Sequence, residues 1–400
     1  MEKAVLDQRF REEMGLDKDL KEIAFAKVKE CFHKWLYIED EFVIDVIFAT
    51  VVANRLPGDP VWLFLIAAPG GCKTEILRAL GTSDEIYTLS SLTENTLISG
   101  LKSKTDPSLI PKLDGKVLVI KDFTAVLSIH REARGKIIGD LRDAYDGECS
   151  KTFGTGERKS YKSKFGLIAG VTPIIDRCWG IQADLGERFL RFRIQLENRA
   201  KAIEQANANA GREKEMRSEL SSVSRSFLSS RQMPRIEDIT TEPDLNNRIM
   251  SLANLVALGR SRVSRDGRDG TIDYEPDPEI GTRVAKQLKL LAAGFAYIHD
   301  QGHVDENTYE LIRRVCRDTL PSREAKILQT MFLIQKEDQT PAPTSEVGDR
   351  SGFPTETCKK VLEDFRLLKI VEREGTGTFK WRLAEQFWES CQVTGLFIPF

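Results

Sequence analysis

The sequence has no two cysteines at CxxC spacing. Its seven cysteines are scattered, at 31, 72, 149, 178, 316, 358 and 391, which excludes a zinc ribbon or dithiol redox pair and fits a reducing compartment. Long hydrophobic runs are missing as well. Each apolar stretch is strand-length or broken by charge, so no membrane-spanning segment is expected. The first residues are charged and carry no signal-type apolar region, so a cytoplasmic protein is expected. An excess of either charge is also lacking. Lys plus Arg number 59 against 61 Asp plus Glu, a formal net charge of -2, which excludes a globally basic nucleic-acid binder but not a local basic patch. No internal repeat or long low-complexity segment is visible.

A hydrophobic fraction of 41% over 400 residues is enough for a sizeable core and for more than one structural unit. One stretch organises the rest. An apolar run, Val61 to Ile66, leads into Ala67-Ala68-Pro69-Gly70-Gly71-Cys72-Lys73-Thr74, and Glu75 to Leu80 continues with helical spacing. Strand, small-residue loop, Lys-Thr and helix form the context of a phosphate-binding loop. Loop amides and the helix N-terminus face the anion. Lys73 reaches the outer phosphates in this reading, and the Thr74 hydroxyl holds Mg²⁺. Ala67 and Cys72 stand where the GxxxxGK[ST] pattern has glycines, and both are small. The plainer alternative is an ordinary strand-turn-helix with a chance Lys-Thr.

Along the chain, residues 20–31 have amphipathic helical spacing, and Phe42 to Ala53 reads as a buried helix ending near Pro57-Gly58. Residues 88–103 read as a short strand, a polar loop and a helix. Lys116 to Ile120 reads as a central parallel strand, and Lys121-Asp122 follow at its carboxyl end, the edge where open α/β sheets bind ligands. A helix is expected over 131–147, then a hairpin turning at Gly154-Thr155-Gly156, a buried strand from Phe165 to Val171, and a final strand over 185–194. Residues 198–232 read as a mobile charged helical connector. Helices are expected over 244–262, 281–298 and 305–318, with an exposed hairpin between Arg260 and Glu275 that turns at Asp269-Gly270. The remainder, three helical segments from Ser322 and a strand-turn-strand from Ile370 to Leu383, has the order of a winged helix.

Candidate chemistry falls on few residues. Asp122 is placed either to hold Mg²⁺ through water or to activate the attacking water; the alternative is a helix-capping aspartate. Thr172 is placed to orient water, or is a turn residue before Pro173. Arg188 is a candidate for stabilising γ-phosphate charge across a subunit boundary, or a surface arginine. Arg158, Lys159 and Lys162 on the hairpin are candidates for a nucleic-acid backbone, or only solubilising charge. The expected recognition helix of the winged segment carries Lys359, Lys360 and Arg366 offset by Glu356, Glu363 and Asp364.

Together and in this order, these residues resemble the AAA+ module of minichromosome maintenance (MCM) replicative helicases and their mobile-element or phage-type relatives, over roughly residues 40–320 plus the trailing winged segment. Val119-Ile120-Lys121-Asp122-Phe123 is similar to that family's Walker B strand ending in Asp-Glu-Phe, with Lys121 in the metal-side aspartate position and Asp122 in that of the glutamate. Residues 141–173 are similar to its helix, pre-sensor hairpin and sensor strand, with Thr172 at the sensor asparagine. Arg188-Phe189 matches its trans arginine finger, and residues 282–288 its lid motif, whose arginine is Arg283 here.

The resemblance implies an α/β protein: a P-loop AAA+ αβα core with a helical lid and a C-terminal winged-helix domain. The divisions expected are an N-terminal helical segment (1–38), the ATPase core (39–196), a helical lid or connector (197–320) and the winged helix (321–400). It implies ATP and Mg²⁺ as ligands, bound by Pro69, Gly70, Gly71, Cys72, Lys73 and Thr74, with metal at Thr74 and Asp122. Asp122, Thr172, Arg188 and Arg283 take the catalytic positions. DNA is the expected partner, gripped by the hairpin, and self-association into a ring, a hexamer, is expected. The activity implied is an ATPase of helicase or translocase type. An ATP-binding switch, loader or regulator with weak hydrolysis, favoured by Lys121, and a protein-remodelling ATPase remain as alternatives.

Overall fold

Apolar residues at 25, 28, 32 and 35 lie on one face of the first described helix, α1 (Phe25–Trp35), and that face is buried. The computed structural model describes residues 23–398, apart from 82, 102–105, 155, 178–187, 232–234, 264, 266–271, 273–275, 277 and 376–378. Helix α2 (Phe42–Ala53) is buried almost all round, as its mostly apolar sequence requires. Its one carboxylate, Asp45, is held by Lys29 Nζ at 2.9 Å and His299 Nε2 at 2.7 Å.

The chain then builds β1 (Trp62–Ile66), α3 (Lys73–Leu80), β2 (Ile86–Leu89), α4 (Ile110–Leu113), β3 (Val117–Ile120), α5 (Thr124–Leu127) and α6 (Arg131–Tyr145). A hairpin of β4 (Glu148–Thr152) and β5 (Arg158–Lys162) follows, then β6 (Gly166–Val171) and β7 (Phe189–Arg193). Among the described residues the central sheet runs β2-β3-β6-β1-β7, and every pairing is parallel. The first strand therefore sits between the two last ones, and the loop after β1 emerges beside the ends of β6 and β7. Both faces are covered. Trp62, Phe64 and Ile66 point into the cluster with α6, while Leu63 and Leu65 point into the cluster with α2, the period-two split that makes β1 apolar throughout.

Beyond the sheet come α7 (Arg199–Ala208), α8 (Glu213–Ser230), β8 (Thr240–Thr241), α9 (Pro243–Arg260), α10 (Thr282–Ile298), β9 (His303–Val304) and α11 (Glu306–Thr319). The chain continues through α12 (Ser322–Asp338), β10 (Ala342–Pro343), α13 (Thr344–Ser351), α14 (Thr355–Leu367), β11 (Val371–Glu374), β12 (Lys380–Leu383) and α15 (Glu385–Thr394). In this last region a sheet ordered β10-β12-β11 lies beside α12 to α14, with Trp381 fully buried.

Three expectations are corrected. Residues 90–101 form turns and not a helix. There the Thr96 hydroxyl accepts from Thr93 N at 3.0 Å and Ser108 Oγ accepts from Ser99 N at 3.0 Å, so side chains take backbone donors that a helix would use. The mobile connector at 198–232 is replaced by ordered packing. Met216, Leu220, Phe227 and Leu228 bury one face of α8, and Phe227 meets Phe25 and Phe48 at ring separations of 5.1 and 5.7 Å. Third, the expected strand and turn pair of the C-terminal region gains β10 and α15. The expected hairpin over 260–275 lies largely outside the described residues, which show its antiparallel bridge between Arg265 and Ile272. Residues 185–187 of the last expected strand also lie outside them.

Candidate nucleotide site

The loop after β1 turns on two left-handed residues. Gly70 has φ +81°, and Cys72 has φ +54° and ψ -13° just before α3. A non-glycine residue there costs on the order of 1 kcal/mol, tolerated where the surroundings fix the loop. At the start of α3, Lys73 N donates to Gly71 O at 2.6 Å and Glu75 N to Cys72 O at 3.0 Å, which leaves the Thr74 amide and the partial positive charge of the helix N-terminus to favour an anion. Burial, and to a lesser degree Glu75, push the Cys72 thiol up from its ordinary value, so it stays protonated at neutral pH and is no nucleophile.

Lys73 is 92% buried by accessible area (8% exposed) and its Nζ donates to Val171 O at 3.0 Å. Gly170 makes this path available. A Cβ there would meet Lys121 O at 2.7 Å and Lys73 Cδ at 3.1 Å, so no larger residue fits without moving the lysine. Burial pulls the Lys73 ammonium below the usual lysine range, and the charge of Asp122 opposes that.

Asp122 and Thr172 come from neighbouring strand ends to the same place. Asp122 Oδ1 accepts from Thr124 N at 2.9 Å, so the aspartate does cap the short α5 while it also faces Lys73. The Thr124 hydroxyl accepts from Thr172 N at 3.1 Å and donates to Thr172 Oγ1 at 3.4 Å. Thr124 thus fixes both residues; sequence reasoning did not single it out.

A cavity of about 610 Å³ holds residues 68–75, Lys121, Asp122 and Thr172 along one wall. That size suits a small-molecule ligand, for which roughly 300–1,000 Å³ is usual. The rest of the lining is Trp35, Leu36, Ala206, Asn209, Glu213, Met216 and Arg217, from α1, α7, α8 and the residues that directly follow α1 and α7. Sequence reasoning missed this part because 198–232 read as a connector. The apolar spacing at 216, 220, 223 and 227 was the signal that could have shown it. Arg217 reaches across to Glu75 on α3 through two bonds of 3.0 Å, and Glu75 also receives Arg78 at 2.8 Å.

Arg188 and Arg283 lie elsewhere. Phe189 pairs with Trp62 at the amino end of β1, so Arg188, one residue earlier, sits about 16 Å of strand, at ~3.3 Å per residue, from the end that launches the Lys73 loop. It is 6% exposed and bonded to Asp146 Oδ2 at 2.7 Å, not the surface arginine that the sequence offers as its alternative. Arg283, at the start of α10, has its guanidinium carbon 5.7 Å from the Tyr145 ring centre, and that of Arg188 is 5.4 Å from the same ring. Residues far apart in sequence therefore share one tyrosine at the sheet edge opposite the cavity.

The hairpin separates its three basic candidates. Arg158 and Lys162 point to solvent, whereas Lys159 turns inward to Asp106 at 3.1 Å. Tyr161 also donates to Asp106, whose carboxyl is held well below the usual range, first by that bond.

The residues present fit a nucleoside triphosphate: an anion-facing helix start, a buried lysine, a loop of small residues and a cavity with one apolar wall. For Mg²⁺ the donor set is thin but sufficient, the Thr74 hydroxyl and Asp122, since this ion takes one or two carboxylates and otherwise phosphate and water oxygens. No group of three or more His, Cys, Asp or Glu suited to a metal occurs among the described residues. No helix among them is long and apolar enough to cross a membrane.

These features define a parallel α/β fold with a small-residue strand-to-helix loop at the carboxyl edge of its sheet. No family model matches the sequence, and no curated protein matches it. Solved structures with a distant likeness include the A-form apo structure of the NrS-1 C-terminal region, at 9% identity and TM-score 0.33, covering 91% of this chain and 76% of that one. Two variants of RuvB from Thermotoga maritima are also similar. The arginine-to-alanine form has 14% identity and TM-score 0.27 over 90% of this chain and 95% of that one. The proline-to-glycine form has 13% identity and TM-score 0.25 over 94% and 98%. Likenesses this distant carry no argument about function, which rests on the residues themselves.

Proposed function

We propose that this chain is an AAA+ ATPase that assembles into a ring, a hexamer, and uses ATP to move or remodel DNA. The observation that carries the reading is the convergence of Lys73, Thr74, Asp122 and Thr172 on one cavity at the carboxyl edge of a parallel sheet. In it, the loop from Pro69 to Lys73 wraps the phosphates, and Trp35, Leu36 and Met216 face the base. The Lys73 ammonium, lightly held by one carbonyl, exchanges that bond for a phosphate oxygen and regains the charge stabilisation that burial removes. Asp122, fixed by Thr124, serves one of two roles, orienting the attacking water or holding Mg²⁺ through water, and the Thr172 hydroxyl aligns the attacking water. The Thr74 hydroxyl, with Asp122 in its metal role, would hold Mg²⁺, which would supply charge neutralisation.

In this reading Arg188 and Arg283 serve a neighbouring subunit, because they share an edge that their own cavity does not reach. Arg188 leaves Asp146, which is more than half exposed, to do so. Arg158 and Lys162 grip the DNA backbone. The C-terminal region is a winged-helix domain within the division 321–400. Its wing charges are matched internally, with Arg382 bonded to Glu372 at 2.6 Å, so it favours contact with protein over phosphate. The divisions 1–38, 39–196 and 197–320 remain a proposal, in which α1 and α8 belong functionally to the cavity.

Turnover of ATP with and without single-stranded DNA, alongside mass in solution, tests the reading. DNA-stimulated hydrolysis by a hexamer supports the motor. Tight nucleotide binding without turnover supports the second reading, a nucleotide-gated switch, which the single carboxylate beside Lys121 favours.

A further inference from the structure

The charges lining the cavity are unequally committed. Arg217 is spent on Glu75, which also holds Arg78. Glu213 accepts from Gly211 N at 3.2 Å, and Asp122 from Thr124 N at 2.9 Å. Lys73 donates to Val171 O. Lys121 also lines this cavity, yet among the described residues its ammonium has no ion pair or hydrogen bond. It lies directly after β3, whose neighbour β6 ends at Val171 just before Thr172, so its backbone is fixed beside Asp122 and Lys73. Lys121 is partly exposed and uncommitted, so its ammonium can exchange solvent for an arriving anion.

We infer that the Lys121 ammonium contacts the bound phosphates and supplies part of the positive charge otherwise brought by Mg²⁺, so that this chain holds a nucleoside triphosphate without the metal. The inference rests on the nucleotide site proposed above. An ammonium is a compact point charge with three donors and suits non-bridging phosphate oxygens without demanding octahedral geometry. A carboxylate at 121 would need the metal to tolerate the phosphates; a lysine does not. Lys121 and the metal then compete for the same oxygens, and Mg²⁺ adds little to affinity.

The test is equilibrium binding of a fluorescent, non-hydrolysable ATP analogue to the full chain, in MgCl₂ and in EDTA. The wild type is expected to bind in EDTA within about threefold of its affinity in Mg²⁺, and Lys121→Met to lose at least about tenfold more in EDTA than it loses in Mg²⁺. Lys121→Arg, which keeps the charge, restores binding in EDTA. If Lys121→Met does not fold, by its circular dichroism, Lys121→Gln is read in the same way. An unchanged ratio of the two affinities between wild type and the neutral variant overturns the inference and leaves the nucleotide site standing. Absence of binding by the wild type in both buffers overturns the site itself.

Discussion

The two edges of the central sheet carry opposite arrangements. At the carboxyl edge, Lys73, Lys121, Asp122 and Thr172 open onto a cavity and are held by few bonds. At the amino edge, Arg188 is buried against Asp146 and shares Tyr145 with Arg283. The first edge opens to solvent, and the second is packed and ion-paired. Under the proposed function the two edges are halves of one site that meet only between neighbouring subunits, because a strand's length separates them within one chain.

Breaking the carboxyl edge gives the largest expected effect. Lys73→Ala should abolish ATP turnover, measured as phosphate release; full retention of turnover would remove the site. At the amino edge, Arg188→Ala or Arg283→Ala should cut turnover by about 10³-fold, the scale of an arginine finger, with nucleotide affinity of the dilute subunit unchanged. Mixing either variant with Lys73→Ala subunits should restore part of the activity if the halves meet across a boundary. No restoration would mean that the amino edge is structural.

Smaller effects sharpen the same contrast. Gly170→Ala should displace Lys73 and weaken nucleotide binding about tenfold, given a 2.7 Å approach to Lys121 O. On the hairpin, Arg158→Ala and Lys162→Ala should each lower the slope of log affinity against log salt by about one, as one lost phosphate contact does. Lys159→Ala should leave DNA binding nearly unchanged, because that lysine is committed to Asp106. The least effect concerns acid. Asp106 has a depressed pKa when folded, so its anchoring of the hairpin is fully present above the ordinary carboxylate value, about pH 4, and fades as pH falls below it. Hydrogen exchange of the β4–β5 amides should rise in that window, and Asp106→Asn should remove the dependence.

The apolar runs at 61–66, 116–120 and 165–171 were enough to place the parallel strands, and Lys73-Thr74 enough to mark the loop, because period and small residues are local properties. The charge and short side chains of 198–232 hid α8, since four apolar residues in a polar helix become a buried face only when α1 and α2 stand opposite them. The strand-loop-helix unit and the residue types at each strand end are readable from local pattern. That Arg188 and Arg283 meet on Tyr145, that Lys159 turns away from solvent, and that Lys121 lines the cavity uncommitted came from folding alone. Those outcomes depend on which side chains from distant segments arrive as neighbours, and local sequence carries no record of that.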